Sequence, residues 1–211
     1  MSTTATDNKE RRALSLPIEV RAEDTETKEV EIFGYAALFN SRTNLGWLDE
    51  VVSPGAFDEC LGNDVRCLLN HDSNIVLGRG NNNIQAYEGK TATMLIGVDE
   101  KGLWYRVRLD LENPSHKSTY LSIKRGDITQ SSFGFTVKEQ AWEKTPEGEN
   151  NLRKIVKVEQ LYDVSPVTYP AYADTTVAMR SKPTDEQPPV DVPDEYTMRL
   201  QQLKRNCIEI I

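Results

Sequence analysis

Two serines and a glycine interrupt an otherwise aromatic run at Gln130-Ser131-Ser132-Phe133-Gly134-Phe135, where packing alone favours larger β-forming side chains. A close backbone approach would explain the glycine; the plainer reading is that Ser132 and Gly134 only make room for the aromatics. A serine hydroxyl is a weak nucleophile until an imidazole accepts its proton. The chain of 211 residues has two histidines, His71 and His116. His116, in the polar Pro114-Ser-His-Lys-Ser stretch near a helix start, reads as a solvent-exposed residue without a role. His71 follows the apolar Leu68-Leu69 pair at a strand end, so its ring can sit at the core boundary with its nitrogens accessible; a capped surface histidine is the bland alternative. A third group, a carboxylate, would fix the imidazole tautomer and stabilise the imidazolium. Glu159 and Asp163 are the candidates. Their even separation predicts that both share one strand face with Leu161, so parity does not separate them. Asp163 is favoured because it ends the strand beside Val164-Ser165-Pro166-Val167, where a partly buried carboxylate needs a partner; for either acid the alternative is an exposed strand charge.

Other chemistries have less support. Cys60, Cys67 and Cys207 form no CxxC pair and no even-numbered framework, which argues against a disulfide scaffold or a structural zinc site. Both Cys60 and Cys67 lie in apolar runs, where thiols are usually inert, so a thiol enzyme is the weakest of the catalytic readings. Two distant histidines and unpaired cysteines do not make a metal site, and no cofactor is expected. With 25 Lys and Arg against 33 Asp and Glu the net charge is −8, and the scattered basic residues argue against nucleic acid as a partner. No stretch approaches the roughly 20 apolar residues of a membrane span, so no membrane association is expected. The start of the chain lacks the apolar core and cleavage site of a secretory signal, which suggests a protein that stays inside a cell.

The elements that must position these residues are mostly strands. Residues 1 to about 14 are polar without periodicity and read as a disordered arm; with 1–27 assigned to the arm, the folded domain is expected over 28–180. Val30, Ile32, Gly34, Ala36 and Leu38 alternate with Phe33, Tyr35, Ala37 and Phe39, predicting a long strand buried on both faces. Ser53-Pro54 predicts the start of a short helix with Phe57, Cys60 and Leu61 inward. Residues 65–69 read as a buried strand ending at Asn70-His71-Asp72, and Gly78-Arg79-Gly80 as a turn. Residues 91–98 and 103–111 around Asp99-Glu-Lys-Gly102 read as a hairpin. Asn113-Pro114 opens a helix that Gly126 closes. Residues 128–142 and 152–163 form a second long hairpin across a polar loop. The stretch 181–211 reads as a Pro-rich acidic linker followed by a short terminal helix. The pattern predicts a mainly β fold with helical crossovers, an antiparallel β-barrel or sandwich.

Six segments, IFGYAALFN, VVSPGAFDECL, CLLNHD, VLGR, LSIKRGDITQSSFGF and LYDVSPVTYPAY, occur in this order over about residues 30–180. Together they resemble the prohead (capsid maturation) serine proteases of tailed bacteriophages of the HK97 type. That resemblance implies an antiparallel β-barrel surrounded by short helices, similar to herpesvirus assembly proteases, and serine endopeptidase activity. It matches the family's histidine to His71, its nucleophile to Ser132 rather than Ser131, and its acidic position to Asp163, a shorter carboxylate than the frequent Glu, with Glu159 as the fallback. It further implies phage major capsid protein and scaffold segments as substrates, action in the host cytoplasm inside the procapsid, phage or prophage origin, and self-cleavage in the linker after Arg180; a homo-oligomer is compatible with it. The reading of a different class is a non-catalytic β-barrel assembly or scaffold factor. Oxyanion donors leave no residue signature; the Gly78-Arg79-Gly80 turn and the loop after Pro166 are the places expected to supply them.

Overall fold

The structure is a computed structural model and describes residues 9–14, 16–24, 26–146 and 150–169; the expected linker and terminal helix over 181–211, like Cys207, lie outside the described residues. In chain order the elements are β1 (Glu10–Leu14), β2 (Glu19–Asp24), β3 (Glu29–Leu38), β4 (Thr43–Asn44), β5 (Asp49–Val52), β6 (Val65–Leu69), β7 (Asp72–Asn81), α1 (Ile84–Glu88), β8 (Met94–Val98), β9 (Gly102–Asp110), α2 (Pro114–Arg125), β10 (Gln130–Glu143) and β11 (Leu152–Val167). The fold is mostly β, a single curled half-barrel sheet ordered β1-β10-β11-β6-β7-β8-β9-β3-β2, with β4 and β5 attached beside β11. It is mixed rather than purely antiparallel: β5 and β6 both run parallel to β11, and β7 runs parallel to β8.

The hairpins follow the sequence pattern. β8 and β9 pair antiparallel with Val98 opposite Leu103, and β10 pairs antiparallel with β11 over nearly its whole length. Val30, Ile32 and Ala36 of β3 face the core, while Phe33 on the reverse face lies under the Arg21 guanidinium, 3.4 Å from the ring centre. Phe133 and Phe135 of β10 stack at 4.6 Å, and Phe57 meets Phe133 edge-on. The residues around 113–126 form the expected helix. Asn113 caps its first turn by accepting from the Ser115 N–H, and Gly126 ends it in the left-handed conformation, which a side chain would disfavour.

Four expectations are corrected. Ser53-Pro54 does not start a helix: residues 54–62 are successive turns in which the N–H groups of Ala56, Asp58 and Cys60 each bond the carbonyl three residues back. Gly55 at φ +82° cannot continue a right-handed helix, and the Ala56 carbonyl is taken by the Val158 N–H of β11. Phe57 and Cys60 are nevertheless buried as the pattern indicated. Gly78-Arg79-Gly80 is not a turn but the paired interior of β7, opposite Val65, Arg66 and Cys67 of β6. That strand shows no clean alternation, because only Leu77 and Gly78 are buried, so its sequence carries no period-2 signal. The region read as an arm contains β1 and β2. β1 is hidden by its charges: Glu10 is buried against Arg153, with Nη1 and Nη2 donating at 2.7 and 2.8 Å, and Arg12 donates to Glu50 at 2.6 and 2.9 Å. Charged residues enter a core only in such pairs, and pairing partners 38 and 143 residues away are not visible in a local window.

The fourth correction concerns β11. Along the ladder Gly134 faces Asp163, Phe135 faces Leu161, Thr136 faces Gln160 and Val137 faces Val158, with register shifts that leave Tyr162 and Glu159 as extra residues. Each bulge resets the alternation of faces. Leu161 therefore lies in the core beside Phe135, Asp163 lies on the other face with Gly134, and Glu159 is exposed to solvent. Even separation does not put the two acids together.

Candidate active site

β10 divides its small residues between two faces. Ser131 points inward, where its hydroxyl bonds the buried Tyr105 hydroxyl at 2.7 Å. Tyr105 can lie there because Gly34 has no side chain, since a Cβ at that position would stand 2.7 Å from the Tyr105 oxygen. Ser132 and Gly134 point to the opposite face, beside Ser165 and Asp163 of β11.

The imidazole arrives from β6. The β6–β7 hairpin turns on only Asn70 and His71, at φ +53° and +58°, the positive angles of a type I′ turn, which Asn and His tolerate better than most residues. Since β6 lies parallel beside β11, with Asp163 opposite Arg66, the turn comes over the end of β11. Asn70 secures it there: its N–H donates to the Pro166 carbonyl at 2.9 Å, its Oδ1 accepts from the Thr168 N–H at 2.8 Å, and its Nδ2 donates to Thr168 Oγ1 at 3.2 Å.

His71, Ser132 and Asp163 consequently meet. His71 Nε2 lies 2.6 Å from Ser132 Oγ, and Nδ1 is hydrogen-bonded to Asp163 Oδ1. A carboxylate only accepts, so Nδ1 carries the proton and the neutral ring's Nε2 is left to accept from the Ser132 hydroxyl. Asp163 Oδ1 also accepts from Ser165 Oγ at 2.9 Å. Burial by itself would push the Asp163 carboxyl up, but the hydrogen bond and charge of His71, together with Lys9, hold it well below the usual carboxylate range. The group is an anion at neutral pH. Gly134 makes room for it, because a Cβ there would run into Asp163 Oδ2; what approaches the glycine is the side chains of Asp163 and Lys9, not the backbone that was expected.

Ser132 is fully covered, set in the ladder between Ala13 of β1 and Ser165 of β11 with the His71 ring against its oxygen. Beside His71, among the described residues, a depression of about 350 Å³ is lined by Asn70, His71, Val167, Thr168 and Tyr169.

Other sequence candidates lie elsewhere. Glu159 is exposed, as described above. His116 is not the idle surface residue that its polar context suggested: its Nδ1 accepts from the Asp110 N–H at 3.1 Å and its Nε2 donates to the Val76 carbonyl at 2.9 Å, bracing α2 against β9 and β7. The Cys60 thiol is pushed up to about 12 by burial and donates to the Phe57 carbonyl; burial, with the Asp163 charge, raises the Cys67 thiol further. Neither sulfur is a thiolate at neutral pH. The Thr168 N–H, in the loop expected to offer an oxyanion donor, is engaged by Asn70.

No curated protein and no solved structure matches this chain. The sequence model of the caudovirus prohead serine proteases matches residues 16–188, most of the chain and all of the three site residues. With a match of that extent, the chain belongs to the caudovirus prohead serine protease family.

Proposed function

We propose that this chain is a serine endopeptidase that cleaves phage capsid and scaffold segments during prohead maturation, with Ser132 as nucleophile, His71 as general base and acid, and Asp163 as the group that orients the imidazole. The observation that carries the reading is the continuous hydrogen-bonded path from Ser132 Oγ through Nε2 and Nδ1 of His71 to a buried, ionised Asp163. Family membership gives it a context. In the first half-reaction Oγ attacks the scissile carbonyl carbon while Nε2 takes the hydroxyl proton. The resulting imidazolium, paired with Asp163, then returns that proton to the leaving amine as the C–N bond breaks. Water enters along the same path, gives its proton to Nε2, and releases the new carboxyl end and Ser132.

Because Ser132 is covered in this state, the carbonyl reaches Oγ only after a local opening, and the depression next to His71 is the side from which a polypeptide gains access. We assign the activity to a catalytic unit over residues 28–180, extended at its front by β1 and β2, and place its action in the host cytoplasm within the procapsid, whether encoded by a phage or a prophage. Closure of the sheet into the barrel of the herpesvirus assembly proteases, self-cleavage after Arg180 and self-association belong to the same reading. The test is to incubate the capsid precursor with the parent protein and with Ser132→Ala and to measure the intact masses of both partners. Trimming by the parent alone is expected. An authentic precursor left whole by both proteins would return the chain to the role of a non-catalytic assembly factor.

A further inference from the structure

Asp163 has a second oxygen, and what holds it comes from the front of the chain. Asp163 is 1% exposed, and its Oδ1 is used by His71 and Ser165. Oδ2 accepts no well-aligned hydrogen bond; among the described residues its counter-charge is the Lys9 ammonium, an ion pair at 2.9 Å. The lysine stem passes over Gly134, where a Cβ would stand 2.8 Å from Lys9 Cε, and the ammonium lies 4.8 Å from the centre of the Tyr162 ring. Gly134 and the bulge at Tyr162 thus leave a space that both the carboxylate and the lysine occupy.

Lys9 is delivered there by β1, whose five residues pair with β10 from Glu10 opposite Phe135 to Leu14 opposite Ser131. The strand is anchored on its inward face by the Glu10–Arg153 and Arg12–Glu50 pairs. An element fixed by buried ion pairs on one face holds the cation on its other face in register with the site. These residues precede position 16, where the family match begins.

We propose that Lys9 is a positioning residue of this site: its ammonium holds Oδ2 of Asp163, which sets the plane of the carboxylate and keeps Oδ1 aimed at Nδ1 of His71. The claim rests on the serine peptidase reading for its functional meaning but not for its physical test. Besides Asp163 and the Lys9 ammonium on it, the groups at the imidazole are the Ser132 hydroxyl from β10 at Nε2, Tyr169 in the depression that His71 also lines, and Asp72, next in the chain. Without the ammonium, the Asp163 charge acts on the imidazolium alone and favours it.

The chain's two histidines make the effect directly readable. In the full chain carrying Ser132→Ala, to prevent self-digestion, the imidazole C2–H resonances of His71 and His116 are titrated by proton NMR, with Lys9 intact, Lys9→Met, Lys9→Gln or Lys9→Arg. The His71 midpoint is expected to rise by about one pH unit in the Met and Gln variants and to return close to the parent value with Arg, while His116, held by α2, reports an unchanged fold in all four. In proteins with Ser132 restored, the acidic limb of the pH–rate profile on capsid precursor moves the same way. An unmoved His71 midpoint in both neutral variants, with His116 unchanged, overturns the role of Lys9 even if the parent cleaves. A parent that cleaves nothing overturns the peptidase reading, and the titration still decides on Lys9.

Discussion

At the scale of single residues, the account makes Ser132, His71 and Asp163 one unit, and units of this kind fail together. Ser132→Ala and His71→Ala are each expected to lower kcat/KM on capsid precursor by on the order of 10⁴–10⁶, and the double variant to lower it no further. Additive losses would mean that the two side chains act separately. Asp163→Asn, with its geometry kept, is expected to cost about 10⁴ because the wrong tautomer is presented to Ser132, whereas Glu159→Gln on the solvent side of β11 should leave the rate within about twofold, since surface changes away from a site have small effects. Gly134→Ala is the complementary test: its methyl would enter the space of Asp163 Oδ2, so activity should fall while the melting temperature changes less, measured on one preparation. Much at this scale was legible in the sequence. The misplaced Ser-Phe-Gly-Phe and the scarcity of histidine pointed to Ser132 and His71. Asp163 was favoured over Glu159 only by its place at the strand end, and the parity that put both on one face misled, because a bulge is a property of two paired strands and leaves no mark on one of them. Lys9 was missed because nothing local distinguishes a lysine in a polar segment.

At the scale of elements, the site depends on a turn and a ladder. The β6–β7 turn places His71 through Asn70, whose side chain bonds both Thr168 N–H and Oγ1. Asn70→Ala removes those bonds at a positive φ and is expected to cost about 1–2 kcal/mol in urea unfolding, with a fall in kcat larger than the change in KM because the imidazole is no longer held against Ser132. Equal loss in stability with an unaltered kcat would show that the turn needs no such staple. The long hairpins and α2 were legible because their cues are local: alternation for the strands, and Asn113-Pro114 and Gly126 for the helix. The parallel neighbours of β11 were not, since β5 and β6 reach it from more than 90 residues away, and β7 carries too few buried positions to show a period. The turns of residues 54–62 mimicked a helix start because Ser-Pro is common to both, and Gly55 decided between them only through its backbone angle.

At the scale of the whole molecule, β1, β5 and β11 are joined by a buried charge network that spans the chain from Glu10 to Arg153. Removing one partner strands the others, so Arg153→Ala is expected to destabilise the fold by about 3–5 kcal/mol, read by urea unfolding. Burial acts to raise the Glu10 carboxyl, and Arg153 and Arg12 overcome it and hold it below its ordinary 4.5; Asp163 is likewise held below 3.8. Both contribute stability that is fully present above those ordinary values and is lost as pH falls through the lower folded-state values. Acid unfolding should therefore steepen below about pH 4.5 and be weaker in Arg153→Met, whose Glu10 has lost its main partner. The composition showed an acidic chain and the residue pattern a mainly β one, yet neither gave a hint that some of its charges are internal, because burial of an ion depends on a partner far along the sequence. The claim on which all of this converges is that Ser132 is a nucleophile activated by His71. It is tested most directly by treating the full chain with a serine-directed fluorophosphonate and locating the adduct by peptide mass mapping. The account predicts one phosphonylated residue, Ser132, and none after His71→Ala; labelling at another serine, or labelling of Ser132 that persists without His71, would contradict it.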